Sequence, residues 1–551
     1  MMTELQSELK IPTLPWTGER MIPHACDALT EMYHWQRYLF FRPWYEDAKI
    51  IDAASGEGYG AGYAGAFAES VTGYDLCGEA VKHGAKRYPH AKFEQGDVCD
   101  LDYSDADLVL SFETIEHLPD PKKFLTALSS CTGRIVISTP NRNTHSPNNG
   151  PKDKPLNQYH TVEWTPAEFA ELIRESFPNR TVRFLSQQMA YPGLIKEGFC
   201  KDAMYCIAVI GDGELPAWPR LGIAVPTHNN WNQLSEAIQT MCRTYPGEIR
   251  FAVTANGCDE TTLRALRHQE TAAPGLLHVL EEAENRGYGA GSNIALGFLQ
   301  QEGGFDYYAV INDDVILTID CVCAMVAAAQ ELEKLDFKPG VIGPVSNAVS
   351  GPQQVDIGPF TDYPSMAYLA EQYHRVNHSK LDQVQQLRGL FMLIHPDCLR
   401  DVGGFDPIFG IGNFEDDDHN LRCALAGYTL WIAAGAFLFH HGSTTFKRIG
   451  VDYAANNARN SAIMARKWGL TRTELWIHTR QKPENVELFA PLGQPQLPED
   501  RFEVVINGEK IDLVNQATEI EFAGWVVHRM QSQPRELRKA VVEVIEGRKI
   551  A

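Results

Sequence analysis

Short apolar runs recur along the first part of the chain, and most stop at a turn carrying glycine or an acid. Lys49–Ala54, Val71–Tyr74, Ala91–Glu94, Leu108–Phe112 and Arg134–Ser138 read as strands, with helical spacing between most of them. This alternation predicts an α/β fold built on a doubly wound parallel sheet. The pattern pauses at Gly211–Pro219 (GDGELPAWP) and then restarts with Leu221–Pro226, Phe251–Thr254, His278–Leu280 and Tyr307–Ile311. Two α/β domains are therefore expected, 1–210 and 220–470, joined by a linker at 211–219. Beyond 471 a small C-terminal extension remains, without an assigned role. In it Phe502–Ile506 and Lys510–Val514 flank Asn507-Gly508, the favoured two-residue hairpin turn.

The length of 551 residues exceeds one ordinary core, which agrees with two domains. With 44% hydrophobic and 22% charged residues the composition is that of a soluble globular protein. No apolar run reaches the roughly 18 residues that span a bilayer, and the N-terminus lacks a signal-peptide pattern. The twelve cysteines are scattered and read as reduced thiols of a cytoplasmic protein. A net charge of −22 argues against a general nucleic-acid binder.

The strand ends carry the candidate chemistry. In the first half, Ser55-Gly56-Glu57-Gly58-Tyr59-Gly60 follows strand one, Asp75 ends strand two, Asp97 follows strand three and Glu113 follows strand four. A glycine loop lets a ligand approach the backbone, and an acid ending strand two suits the two hydroxyls of a ribose. A nicotinamide site would call for GxGxxG, which SGEGYG is not. TGERMIP at 17–23, IDAASGEGYG, GYD, QGD, SFETIEHL and ISTPNR stand in the order of the class I S-adenosylmethionine-dependent methyltransferases, which this half resembles over about 15–205. The resemblance implies a Rossmann-like fold with S-adenosylmethionine at Asp52, Ser55, Gly56, Gly58, Asp75, Asp97 and Glu113. For the methyl acceptor, His117 or His160 would take a proton, or would serve only to cap or pack. His34 and Arg37 would close over the cofactor or pack. No metal cluster is evident in this half.

In the second half, Asn312-Asp313-Asp314 ends a strand with hard oxygen ligands suited to Mg²⁺ or Mn²⁺, although the same triplet also suits a turn. Asn285 to Asn293 (NRGYGAGSN) offers glycines for a backbone to wrap a nucleotide-sugar. Gly403–Arg422 leads into four acids, Glu415 to Asp418, on the first turn of a helix that Gly427 can end. VPTHNN, NRGYGAGSN, INDDV, FEDDDHNLRCALAGY and FHHGSTT resemble family 2 glycosyltransferases of GT-A fold, nearest the rhamnosyltransferase-like members, over about 220–470. The resemblance implies donor contacts from Pro226, Thr227, Asn229, Asn256, Asn285, Gly287, Gly291, Asn293 and Asp313. It implies a divalent metal on Asp314 with Asn312 or Asp313, completed by His440 or His441. It makes Asp416 the base, with Asp418 and Glu415 as alternatives; Asp418 also stands four residues before Arg422, which suits an ion pair. Ala255 departs from the family, which usually has an acid reading the nucleobase there, and Asp259 is the available substitute. His228 would contact the nucleotide or finish its strand. Arg459, Arg466 and Lys467 lie on a further helix, where they would meet an anionic acceptor or form a solvated face.

Together these readings describe a bifunctional enzyme of bacterial surface polysaccharide (O-antigen or capsule type). It would transfer a sugar from a nucleotide-diphospho-sugar, with inversion, and methylate the glycan from S-adenosylmethionine. A lipid-linked acceptor would be met peripherally at the inner face of the membrane. Two rivals stay open: one half is a silent binding module, or the methyltransferase half has a separate protein or nucleic-acid acceptor.

Overall fold

The first five apolar runs form β1 (Lys49–Ala53), β2 (Ser70–Asp75), β3 (Lys92–Gln95), β4 (Leu108–Phe112) and β5 (Arg134–Pro140). They belong to a computed structural model that describes residues 14, 15, 18, 20–335, 337–442, 450–468, 501–506 and 509–514. Thr17 and Glu19 of the opening motif, the Asn507-Gly508 turn and most of the extension lie outside the described residues. The chain divides into two compact units, one of 1–218 with 242–248 and 358–375, the other of 219–241, 249–357 and 376–551.

In the first unit the five strands pair in parallel in the order β3-β2-β1-β4-β5. Three strands that periodicity did not separate complete the sheet: β6 (Val182–Gln188), β7 (Ile195–Glu197) and β8 (Ala203–Ile210). β8 runs antiparallel to β5, and β6 antiparallel to both β8 and β7. One face packs Val109, Ile135, Ile137 and Phe184 against Phe124, Phe169 and Ile173 of two helices, Pro121–Leu128 and Pro166–Ser176. Both helices start on side-chain caps that satisfy orphan N–H groups: Asp120 accepts from Lys123 N–H, and Thr165 and Glu168 form a reciprocal capping box. Chain order reverses between β1 and β4, so the carboxyl ends of β1, β2 and β4 meet at the switch point where ligands bind.

The second unit holds β9 (Leu221–Thr227), β10 (Ile249–Asn256), β11 (Leu277–Glu282), β12 (Tyr307–Ile311), β13 (Val315–Leu317), β14 (Pro339–Ser346), β15 (Leu381–Val384), β16 (Phe391–Ile394) and β17 (Thr429–His440). β11-β10-β9-β12 are parallel, and β16 then runs antiparallel between β12 and β14. β14 pairs in parallel with β17, which carries β13 and β15 antiparallel. Every residue of β9 and β12 is buried, as expected of central strands covered on both faces. β18 (Arg501–Ile506) and β19 (Glu509–Val514) form the expected antiparallel hairpin. Among the described residues no helix is long and apolar enough to cross a membrane.

Candidate active sites

In the first unit the glycine loop folds back on the acid of β2. Asp75 accepts hydrogen bonds from Gly56 N–H (2.9 Å) and Cys77 N–H (2.8 Å), and Arg20 of the opening motif stands 3.6 Å away. Gly58 has φ +98° and begins the helix Tyr59–Ala64; a Cβ there would press into the Phe93 ring. Asp52 is buried behind the loop, takes the Tyr38 hydroxyl at 3.1 Å, and is pushed by burial up to about 7. Ser55 is buried, and its hydroxyl has no hydrogen-bond partner among the described residues. Asp97 is exposed and holds its own turn by accepting from Cys99 N–H. Glu113 sits at φ +54° after β4, accepts from the Ser138 hydroxyl at 2.5 Å and lies 3.8 Å from Arg37.

Arg37 itself is wholly buried, donating to Gln187 and lying over the Tyr205 ring. His34 meets the Tyr59 hydroxyl at 2.9 Å. His117 and His160 stand side by side, ring centroids 4.9 Å apart, against Glu116. The expectation of no metal cluster in this half does not hold for the geometry: one ligand atom each from Glu116, His117 and His160 lie within 4.8 Å of one another. Glu116 escaped the sequence reading because an acid inside a short helical turn has no periodic signature. Its carboxyl is pushed far up by burial and by Glu113.

The second unit has a cavity of about 540 Å³ at the carboxyl ends of β9, β10 and β12. Asp313, Asp314, Glu415 and Asp416 all line it, with Arg388 and His440 as neighbours. Asp313 accepts from the Thr227 hydroxyl at 2.6 Å. Asp314 Oδ1 lies 3.2 Å from His440 Nε2, and His440 Nδ1 bonds the Ala348 carbonyl at 2.6 Å, so Nε2 is the nitrogen presented to the acid. Burial draws His440 down, but the Asp314 carboxylate outweighs it and holds the imidazole above its ordinary value. Asn312 Nδ2 is 3.4 Å from the same Nε2. His441, by contrast, is exposed, packs edge-on to Phe439 and does not line the cavity.

The four acids of the helix Glu415–Leu425 have four different surroundings. Asp418 is wholly buried, bound by Arg422 (2.9 Å), Lys467 (2.7 Å) and Trp468 (2.9 Å), and does not line the cavity. Burial would raise its carboxyl, but Arg422 and Lys467 hold it below the usual range. Asp417 is tied to Arg388 (2.8 Å) and Gln386 (2.6 Å), and burial pushes it up to about 6 against the pull of Arg388. Glu415 is buried, with Oε2 lacking a hydrogen-bond partner among the described residues, and burial together with Asp416 pushes it far up. Asp416 is half-exposed in the cavity wall, its oxygens oriented by Gly389 N–H (3.0 Å) and Asp417 N–H (2.8 Å).

Several residues assigned to the donor make structural contacts. Asn293 exchanges two hydrogen bonds with the Phe405 backbone, at 2.6 and 2.8 Å, and lies outside the cavity wall. Gly287, at φ +87°, packs against the Gly410 carbonyl, and Gly291 packs against Pro226 and Asn256. The glycine density of 285–293 therefore reflects close packing around helix Tyr288–Glu302. Asn229 accepts from Asp259 N–H, and Asp259 caps its own helix, so neither reaches the cavity wall. Pro226, Thr227, Asn256, Asn285 and His228 do line it. Arg388 opens RGLF, part of the family-like pattern of this half, but was not among the site residues assigned from the sequence. Lys467 is spent on Asp418 and Asp406, which removes it from any acceptor surface.

Comparisons with known proteins agree with this division. Residues 51–132 match the methyltransferase domain family and residues 222–393 the glycosyl transferase family 2. A probable S-adenosylmethionine-dependent methyltransferase of Mycolicibacterium smegmatis is 37% identical over 169 residues, covering 29% of this chain and 63% of its own length. One of Mycobacterium tuberculosis is 35% identical over 169 residues, covering 29% and 60%. The chain thus spans less than two thirds of the length of these relatives. A mannosyltransferase of Pyrobaculum calidifontis, solved with GDP-Man and Mn²⁺, aligns over 48% of this chain and 66% of its own at 16% identity and a TM-score of 0.32. The chain carries an S-adenosylmethionine-dependent methyltransferase domain followed by a family 2 glycosyltransferase domain.

Proposed function

We propose that the chain is a bifunctional transferase of glycan assembly. Its second unit moves a sugar, with inversion, from a nucleotide-diphospho-sugar to an acceptor hydroxyl. The observation that carries this reading is the acidic cavity in which Asp416 shares a wall with Asp313 and Asp314. The carboxylates of Asp313, Asp314 and Asp416 would repel a diphosphate at close range, so an anionic donor fits best with a cation between them. Asp314 and His440, with Asn312 beside them, have the donor set to hold a divalent ion. When bound, that ion supplies charge neutralisation to the leaving diphosphate. Asp416 takes the acceptor proton as the hydroxyl oxygen attacks the anomeric carbon, because it is the acid held open to the cavity by two backbone N–H groups.

The first unit binds S-adenosylmethionine, which supplies a methyl group already activated as a sulfonium. Gly56 and Gly58 let it approach the loop backbone, and Asp75 exchanges its loop bonds for the ribose hydroxyls. One chain with both domains favours one product, a surface glycan that is extended and O-methylated; a lipid-linked acceptor would be met at the membrane surface.

The test is release of nucleoside diphosphate from a panel of nucleotide-sugars with Mn²⁺ and without it. Asp416→Asn is expected to lower the transfer rate about 10²- to 10⁴-fold with the fold intact. Full activity of this variant would remove Asp416 as the base.

A further inference from the structure

The hydrogen bonds around His117 and His160 place a proton on Nδ1 of both rings. His117 Nδ1 faces the Tyr159 carbonyl at 3.1 Å, an acceptor only, so Nδ1 carries the proton. His160 Nδ1 meets Glu163 Oε1 at 2.6 Å, while the Asn157 amide nitrogen donates to its Nε2 at 2.9 Å. That amide is oriented by its own oxygen, which accepts from Tyr159 N–H at 3.0 Å. The lone pair of His160 Nε2 accepts from that amide, which an incoming cation would displace. A carboxylate or carbonyl holding Nδ1–H is the outer-shell arrangement that directs Nε2 onto a metal. The third group is Glu116, 0% exposed, whose Oε2 accepts from Thr139 while Oε1 has no donor among the described residues. His117 Nε2 lies 3.7 Å from that Oε1, too long for a shared proton. Ligand atoms about 2.0–2.1 Å from one cation lie about 3–3.5 Å apart, so this trio, whose ligand atoms lie within 4.8 Å of one another, would draw together to enclose an ion.

We propose that Glu116, His117 and His160 form a divalent transition-metal site that binds the hydroxyl of the methyl acceptor. Two imidazoles and one carboxylate suit Zn²⁺ or Mn²⁺, and three protein ligands leave room for an oxygen from outside. The site follows directly on β4, three residues beyond Glu113 of the expected cofactor pocket, so a bound hydroxyl would stand near the methyl donor. The cation acidifies that hydroxyl. Its proton leaves to solvent, the oxygen forms a bond to the methyl carbon, and the C–S bond breaks with its electron pair staying on sulfur. The role in methyl transfer rests on the methyltransferase reading; the cation site itself does not.

The experiment counts Co²⁺ bound per full-length chain by equilibrium dialysis and records its visible spectrum, alongside calorimetric binding of S-adenosylhomocysteine. His117→Ala and His160→Ala are each expected to bind one Co²⁺ fewer than the parent chain, with S-adenosylhomocysteine affinity unchanged. Asp314→Asn should leave this ion and its imidazole-ligated spectrum in place. Glu163→Gln keeps all three ligands and should weaken Co²⁺ about 10- to 100-fold. An unchanged Co²⁺ count in both histidine variants overturns the site. Loss of the ion in variants of a chain that never binds S-adenosylhomocysteine supports the site and overturns its role in methyl transfer.

Discussion

At the scale of single residues, the run Glu415 to Asp418 separates acids by what they touch. Asp416 meets backbone N–H groups at a cavity wall, whereas Asp418 neutralises two cations inside the protein. Removing the charge of Asp418 would leave Arg422 and Lys467 with a buried partner that no longer compensates them, a change worth about 3–5 kcal/mol in comparable buried pairs. Asp418→Asn is therefore expected to lower the thermal unfolding midpoint markedly, and Asp416→Asn to leave it within a degree or two. Scanning calorimetry of the two variants side by side decides this; equal midpoints would mean that the buried network carries little stability.

At the scale of elements, the parallel strands were readable because each is an apolar run ending in a turn. The antiparallel strands of the two large sheets were not, unlike the hairpin of β18 and β19. β8 reads AMYCIAVI, a continuous apolar stretch that periodicity cannot tell from a buried helix, and it is defined by pairing with β5 and β6, distant in sequence. The positions of Asp75 and Asp314 at strand ends were legible for the same reason, since strand ends gather at one edge. Asn293 and Gly291 show a further limit, because their motif looks ligand-directed while their contacts are to neighbouring backbone and side chains. Helix Tyr288–Glu302 turns that lesson into a measurement. Gly287, in front of it, combines a left-handed φ with a Cβ that would strike the Gly410 carbonyl; Gly297, within it, has nothing within 4 Å of an added Cβ. Gly287→Ala should destabilise by about 1–3 kcal/mol, and Gly297→Ala should stabilise by about 0.5–1 kcal/mol. Opposite shifts of the unfolding midpoint are the expected result, and a neutral Gly287→Ala would show that the loop at 410 yields.

At the scale of the whole molecule, each candidate site is built from one unit alone. The cofactor loop and its acids lie within 52–113, and the acidic cavity is lined by residues 226–453 of the other unit. A ligand that binds only the folded form stabilises by about 2.7 kcal/mol at a hundred times its dissociation constant. Two sites with separate residues should therefore give separable shifts. S-adenosylhomocysteine should raise the melting temperature of the parent chain, and Asp75→Ala should abolish that rise while leaving the response to a nucleoside diphosphate with Mn²⁺. Asp314→Asn should do the reverse, and the diphosphate should have no effect without the metal, because the cavity is acidic and the chain carries a net charge of −22. If Asp75→Ala also removed the diphosphate response, the two activities would share a folding or binding equilibrium, and the chain would act as one coupled machine with its two chemistries interdependent.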